Sequence, residues 1–311
     1  MPVAPLAKRV LTVGSRGSQL ALWQAQFVAS QLNARGVQTR IEIIRTTGDH
    51  LQAASLARTG GKGLFTKEIE EALLRGDIDI AVHSLKDLPT EITEGLTIAA
   101  VPEREDPRDA ILGHPLHELV DGSRIGTSSG RRAAQLRILR TDLDIQPIRG
   151  NVDTRLRKLK EGQYDAIVLA AAALLRLGLA DEMSGLFSPE EMCPAPGQGA
   201  LAIQTRANDS ARDICAALNH EPTHQAVRCE RTVLAALGGG CQLPVGAFAD
   251  PQEDILRAIA VVVSPDGSRH VRAESAGPRQ HPEELGQALA AELIRRGAEK
   301  ILDQSKSSAK S

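Results

Sequence analysis

The chain has 311 residues, and its 37 Lys plus Arg against 39 Asp plus Glu leave a formal net charge of −2, so broad binding to nucleic acid or to an anionic membrane surface is excluded. At 42% hydrophobic and 24% charged it reads as globular, long enough for two or more domains, while one Trp, one Tyr and four Phe are too few for a base-stacking platform. No apolar run approaches the roughly 20 residues of a membrane span.

Residues 10–13 (VLTV) read as a short buried strand. Ser18 is placed to cap a helix whose apolar stripe is Leu20, Trp23, Phe27 and Leu32 and which Gly36 ends. Residues 37–45 alternate as a strand, and 46–63 is a polar, Gly-rich stretch of the length that marks a functional loop. Phe65, Ile69, Ala72 and Leu73 mark a helix stopped at Gly76. The strand 77–82 (DIDIAV) delivers His83-Ser84-Leu85-Lys86-Asp87 at its carboxyl end, and 96–101 is a further strand. A charged segment, 103–109 (EREDPRD), reads as a linker.

Alternation then resumes: strand 124–127, helix 131–140, strand 145–148, helix 152–160 and buried strand 165–170. PAPGQG (194–199) is hinge-like, followed by strand 200–204 and helix 209–218. Strand–helix alternation predicts a parallel or mixed sheet in each α/β unit. The last third differs. A helix over 223–237 runs into Gly238-Gly239-Gly240 and Cys241, 255–263 is β-branched, and Asp266-Gly267 signals a hairpin before strand 269–274. A helix over 282–296 closes this α+β domain, and the Ser- and Lys-rich 304–311 reads as a disordered tail.

The basic residues are 28 Arg and 9 Lys. Between Arg124 and Arg157 lie eight Arg, no Lys and three acids, a local surplus that suggests an anion pocket. Arginine suits carboxylates because its planar fork donates two parallel hydrogen bonds. Ligands of open α/β sheets bind beyond the carboxyl ends of strands. Four segments there carry hydroxyls and cations: Gly14–Ser18, His83–Asp87, Thr127–Arg132, and Arg149-Gly150-Asn151 with Arg155. Helix N-termini add free N–H groups. Together they predict a ligand with several anionic groups, held between two domains. The cysteines at 193, 215, 229 and 241 form no CxxC pair, so neither a zinc ribbon nor a disulfide framework is expected. His220 and His224 flank Pro222 and read as a helix start, so no metal is expected.

GSRGSQLAL, GGKGLF, DIAVHSLKDLP, EREDPRDA, GTSSGRR, RGNVDTR, LAAAALLRLG, PGQGALAI and GGGCQLPVGA occur in this order. Over about 10–302 the chain resembles the porphobilinogen deaminase (hydroxymethylbilane synthase) family. The resemblance implies an α/β fold of two doubly wound domains like type II periplasmic binding proteins, plus a smaller α+β C-terminal domain. The implied bounds are 7–102 with 200–217, 105–194 and 220–303. It implies a transferase of tetrapyrrole and heme biosynthesis. Four porphobilinogen molecules are joined head to tail with loss of ammonia, and water releases hydroxymethylbilane.

The chain grows on a dipyrromethane cofactor held by a thioether, which by motif falls on Cys241. The implied catalytic carboxylate is Asp87, which stabilises the cationic methylene-pyrrolenine formed as ammonia leaves. Carboxylate-binding positions are Arg16, Ser18, Lys86, Thr127, Ser129, Arg131, Arg132, Arg149, Arg155 and Arg176. Weaker candidates are Ser84, Lys62 and Phe65 at the edge of the site, and Gln198 at an interdomain hinge. Gly130 and Asp153 depart from the family pattern without removing a functional group. The first residues, 1–13, lack the apolar core of an export signal, so a cytoplasmic location is expected, with no nucleic acid or membrane partner, and the resemblance implies a monomer. The alternative is an anion-binding solute-binding or sensor protein on the same scaffold, which would need neither Cys241 nor Asp87.

Overall fold

The computed structural model describes residues 9–45, 66–239 and 244–308, with side chains through Gln304. Lys62, Phe65, Cys241 and the whole 46–63 loop lie outside the described residues. By its contacts the chain divides into two units, one running to Glu103 and taking in Leu201–His220, the other formed by Arg104–Ala200 and everything from Glu221.

Unit 1 opens with β1 (Leu11–Ser15), α1 (Gln19–Asn33), β2 (Thr39–Ile43), α2 (Lys67–Arg75), β3 (Ile80–Ser84) and β4 (Leu96–Ala100). Unit 2 begins with β5 (Asp109–Gly113), β6 (Arg124–Gly126), α3 (Gly130–Leu139), β7 (Asp144–Gln146), α4 (Val152–Lys160), β8 (Ala166–Ala170), α5 (Ala171–Arg176) and β9 (Met183–Leu186). The chain returns to unit 1 for β10 (Leu201–Arg206) and α6 (Ser210–Ala216). It ends in unit 2 with α7 (Glu221–Ala236), β11 (Val245–Gln252), β12 (Ile255–Val263), β13 (His270–Pro278), α8 (Pro282–Arg295) and α9 (Ala298–Ser308).

The two five-stranded sheets share one topology, β2-β1-β3-β10-β4 in unit 1 and β7-β6-β8-β5-β9 in unit 2. β1 is parallel to β2 and β3, and β6 is parallel to β7 and β8. The fourth strand is reversed: β10 is antiparallel to β3 and β4, as β5 is to β8 and β9. In each case the reversed strand is the first one the chain forms after passing from the other unit. The sheets are therefore mixed. The C-terminal sheet β11-β12-β13 is a separate antiparallel meander.

Each sheet has its own core. Leu11, Val13, Ile80 and Ile203 pack against Val28 and Leu32 of α1, Ile125 and Val168 pack against Leu136 of α3, and Leu256 and Val262 pack against Leu289 and Leu293 of α8. Strands covered on both faces read as continuous apolar runs, which is why VLTV and DAIVLA are legible. β5, β9 and β11 were not anticipated: β5 is entered from the charged 103–109 segment, β9 is only four residues, and β11 carries Asp250 and Pro251. As an edge strand β11 tolerates that proline. α9 takes in residues 304–308 of the expected tail. No described helix is long and apolar enough to cross a membrane.

Candidate functional site

In unit 1, Arg16 and Ser18 follow β1. Ser18 Oγ caps α1, accepting from Ala21 N at 3.4 Å. Capping uses an oxygen lone pair and leaves the hydroxyl proton to donate elsewhere. Beside β1, β3 runs directly into a single 3₁₀ turn, Leu85–Asp87. Ser84 Oγ accepts from Gln24 Nε2 of α1 at 2.9 Å. Leu85 and Leu88 are buried and anchor the turn, while Lys86 is half-buried and Asp87 exposed. Behind Asp87, His83 Nε2 lies 3.0 Å from Gln204 Oε1, and Gln204 Nε2 donates to Glu70 Oε1 at 2.8 Å. The acceptor-only Glu70 orients the amide, which assigns His83 as the Nε2–H tautomer. Burial lowers the His83 pKa against the opposing pull of the Gln204 hydrogen bond, Glu70 and Asp87, so the imidazole is neutral. Asp87 is thus the exposed acid of a rigid strand end.

In unit 2, Thr127 and Ser129 lie between β6 and α3. Thr127 Oγ1 accepts from Ser129 N at 3.2 Å, and Ser129 Oγ caps α3 by accepting from Arg132 N at 3.4 Å. Arg131 and Arg132, the second and third residues of α3, are only 5% and 6% exposed. Both turn onto Asp109, the fully buried first residue of β5. Burial works against the Asp109 charge, but Arg131 and Arg132, and then the Gln198 amide, outweigh it and hold the carboxyl at about 2. Gln198, expected at a hinge, is buried, and its Nε2 donates to Asp109 Oδ1 at 2.9 Å and to Pro107 O at 2.8 Å. The chain passes to unit 1 just beyond it, between Ala200 and Leu201.

Arg155, on α4, reaches back to donate from Nε to Gly150 O at 2.8 Å. That turn needs glycine: at φ +115° a Cβ on Gly150 would lie 2.6 Å from Thr154. Burial first, and then the like charge of Arg132, push the Arg155 pKa down to about 10. Arg176 is similarly lowered to about 10 by burial, with Glu105 opposing, and its Nη2 donates to Gly199 O at 2.6 Å. Arg149 is exposed, and its carbonyl accepts from Lys158 Nζ at 3.2 Å. Unit 2 therefore gathers Arg131, Arg132 and Arg155 into one basic site, while Arg176 supports the PGQG turn.

Sequence reasoning missed two buried carboxylates. One is Asp109. The other is Glu230, which pairs with Arg104 (2.6 Å) and accepts from Gly197 N at 2.7 Å and Ala249 N at 2.9 Å. A charge on the apolar stripe of α7, between Ala226 and Val233, was the available signal for Glu230. The turn these groups fix is tight. Gly199 has φ +86°, and a Cβ there would lie 2.3 Å from Glu105 O. Gly199→Ala is expected to destabilise the fold by about 2–3 kcal/mol, from backbone strain and a displaced carbonyl. Chemical denaturation checks this, and an unchanged midpoint would remove the strain argument.

Fold and site define an α/β protein whose strand ends present hydroxyls, buried arginines and one exposed carboxylate. Residues 11–213 match the family model "Porphobilinogen deaminase, dipyromethane cofactor binding domain", and 224–295 match "Porphobilinogen deaminase, C-terminal domain". The chain is 49% identical over 302 residues to the porphobilinogen deaminase of Geobacter metallireducens, covering 96% of this chain and 95% of that protein. It is 50% identical over 303 residues to the Thermus thermophilus porphobilinogen deaminase, covering 95% and 99%. Among solved structures it is similar to the methionine binding protein MetQ, with 14% identity, TM-score 0.44, and 70% and 90% of the two chains covered. The chain belongs to the porphobilinogen deaminase family. It is an enzyme of porphyrin biosynthesis with a dipyrromethane-cofactor domain, and the solute-binding alternative is not favoured.

Proposed function

We propose that this chain joins four porphobilinogen molecules head to tail, releasing ammonia at each step and finally hydroxymethylbilane. It does so as a cytoplasmic monomer with domain bounds near 7–102 with 200–217, 105–194 and 220–303. The dipyrromethane, tethered through Cys241, supplies the pyrrole carbon on which growth begins. The carrying observation is the basic site of unit 2. Arg131 Nε is buried without an acceptor among the described residues, and Arg155 is desolvated beside the like charge of Arg132. Both features suit a group bearing several carboxylates, since a buried cation is stable only when paired.

Arg131, Arg132, Arg149 and Arg155 bind acetate and propionate groups, with Thr127 and Ser129 donating their hydroxyl protons. Arg16, Ser18 and Lys86 do the same from unit 1, and Arg176 adds its charge beside the PGQG turn. Asp87 stabilises the positive charge that develops on a substrate pyrrole as ammonia leaves. Such a group is needed because arginines that attract carboxylates also repel that cation. Ser84 and Gln198 keep positioning roles.

The test is the intact mass of the denatured protein with a peptide map around Cys241. An excess equal to two linked pyrroles on the Cys241 peptide, present from the start or formed on incubation with porphobilinogen, is expected. A chain that gains no adduct and releases no ammonia would overturn the assignment.

A further inference from the structure

The following inference rests on the reading of Arg131, Arg132 and Arg155 as carboxylate-binding residues. Two of these arginines already pair with a carboxylate of the protein itself. Arg132 meets Asp109 Oδ1 through both Nε and Nη2, at 2.8 and 2.7 Å, and Nη1 donates to Val168 O at 3.1 Å. The Nε/Nη2 edge is one that a guanidinium turns to a planar carboxylate. Arg131 Nη2 lies 2.8 Å from Asp109 Oδ2, and Nη1 donates to Cys193 O at 2.7 Å. That carbonyl is fixed in turn, because Gln135 donates to it at 3.0 Å and accepts from Cys193 N at 2.8 Å. Gln198 anchors Asp109 by one N–H and offers its own oxygen to Arg132 Nη2 at 3.4 Å. It does so as a neutral amide, adding no charge.

We propose that Asp109 is a positioning residue of the carboxylate site. It is an internal carboxylate, anchored by Gln198, that fixes the planes of Arg131 and Arg132 and cancels one of their two charges. Carboxylates of the growing pyrrole chain are then held firmly enough to align and loosely enough to advance.

The need follows from the chemistry of stepwise growth. Each added unit brings two carboxylates, and successive carboxylates must pass the same arginines. Two uncompensated guanidinium groups at a buried site would bind each carboxylate strongly, because charge interactions strengthen as water is excluded. Tight binding of a partly built chain lowers KM and turnover together, since it stabilises a species that must move on. Two arginines facing each other without Asp109 would also repel, and their planes would no longer be set.

The experiment uses holoenzyme of wild type, Asp109→Asn, the double variant Asp109→Asn with Arg132→Gln, and Arg131→Ala. It reads kcat and KM, and the mass ladder of chains carrying one, two or three added substrate units under limiting porphobilinogen. Asp109→Asn is expected to lower KM at least about threefold and kcat about tenfold, with partly built species accumulating. Damage to a merely structural residue would raise KM and leave no such accumulation. An unchanged ladder, or a raised KM, overturns the proposal. If Asp109→Asn does not yield folded holoenzyme, the double variant Asp109→Asn with Arg132→Gln carries the test. It removes the internal carboxylate together with one of the two charges, so no buried charge loses its partner. Its KM is expected within about twofold of wild type, without accumulation of partly built species. A KM raised as far as in Arg131→Ala overturns the proposal. Arg131→Ala separates the two levels. Normal kinetics in that variant would remove the carboxylate-site reading itself, whereas impaired Arg131→Ala beside unaffected Asp109→Asn would remove only the role of Asp109.

Discussion

Asp87→Asn is expected to lower kcat by about 100-fold or more while leaving the fold intact, the scale seen when one preorganised electrostatic group is removed from a reacting centre. The substitution keeps shape and deletes charge. Asp87 is exposed, and the turn that carries it is anchored by the buried Leu85 and Leu88 rather than by its carboxylate. Surface substitutions of this kind shift stability by less than about 0.5 kcal/mol. In the proposed mechanism the charge matters for turnover because porphobilinogen loses ammonia to leave a cation in a site whose arginines serve its carboxylates. Its neighbour His83 is held neutral by burial, so strand β3 adds no further positive charge of its own there. Because the proposed mechanism gives carboxylate binding to the arginines, KM is expected to change far less than kcat. Steady-state kinetics alongside thermal melts check this, and a variant with wild-type kcat would remove Asp87 from the chemistry.

The parts of this molecule that were legible in sequence are those whose signal is local. Ser18 declares a helix start because a cap acts within three residues, and it caps as expected, while Ser129 caps α3 in the same way. Gly36 and Gly76 mark helix ends through positive φ, which neighbouring residue types reveal. The strand-end placement of Arg16, Asp87, Thr127 and Arg149 follows from the period of the α/β alternation.

What was not legible depends on partners distant in the chain. β10 lies between β3 and β4, more than 100 residues from either, and nothing in LAIQTR announces an antiparallel insertion. Asp109 looked like the last charge of a solvated linker. It is a buried counter-ion because Arg131, Arg132 and Gln198, 22 to 89 residues away, converge on it. The Arg surplus of the 124–157 segment is local and legible, and it points to a site for anions. One anion that it serves is the protein's own Asp109, which the segment itself does not reveal.

Cys241→Ala is expected to abolish activity, with no residual turnover above the uncatalysed rate. Every other candidate residue tunes binding or a barrier, so its loss leaves a fraction of the rate. Cys241 instead provides the only covalent link between protein and growing chain in the proposed mechanism, and no side chain nearby in GGGCQLPVGA offers a second thiol. The remaining cysteines do not substitute. Cys193, Cys215 and Cys229 are buried, and burial pushes each thiol up to about 12, far from the thiolate that forms carbon–sulfur bonds. Cys241→Ser is expected to fail equally, since a hydroxyl is a far weaker nucleophile than a thiol at neutral pH. Mass spectrometry of both variants after exposure to porphobilinogen provides the check. The unmodified chain mass is expected in each case, whereas a two-pyrrole adduct on the Cys193, Cys215 or Cys229 peptide, or retained turnover, would move the attachment point elsewhere.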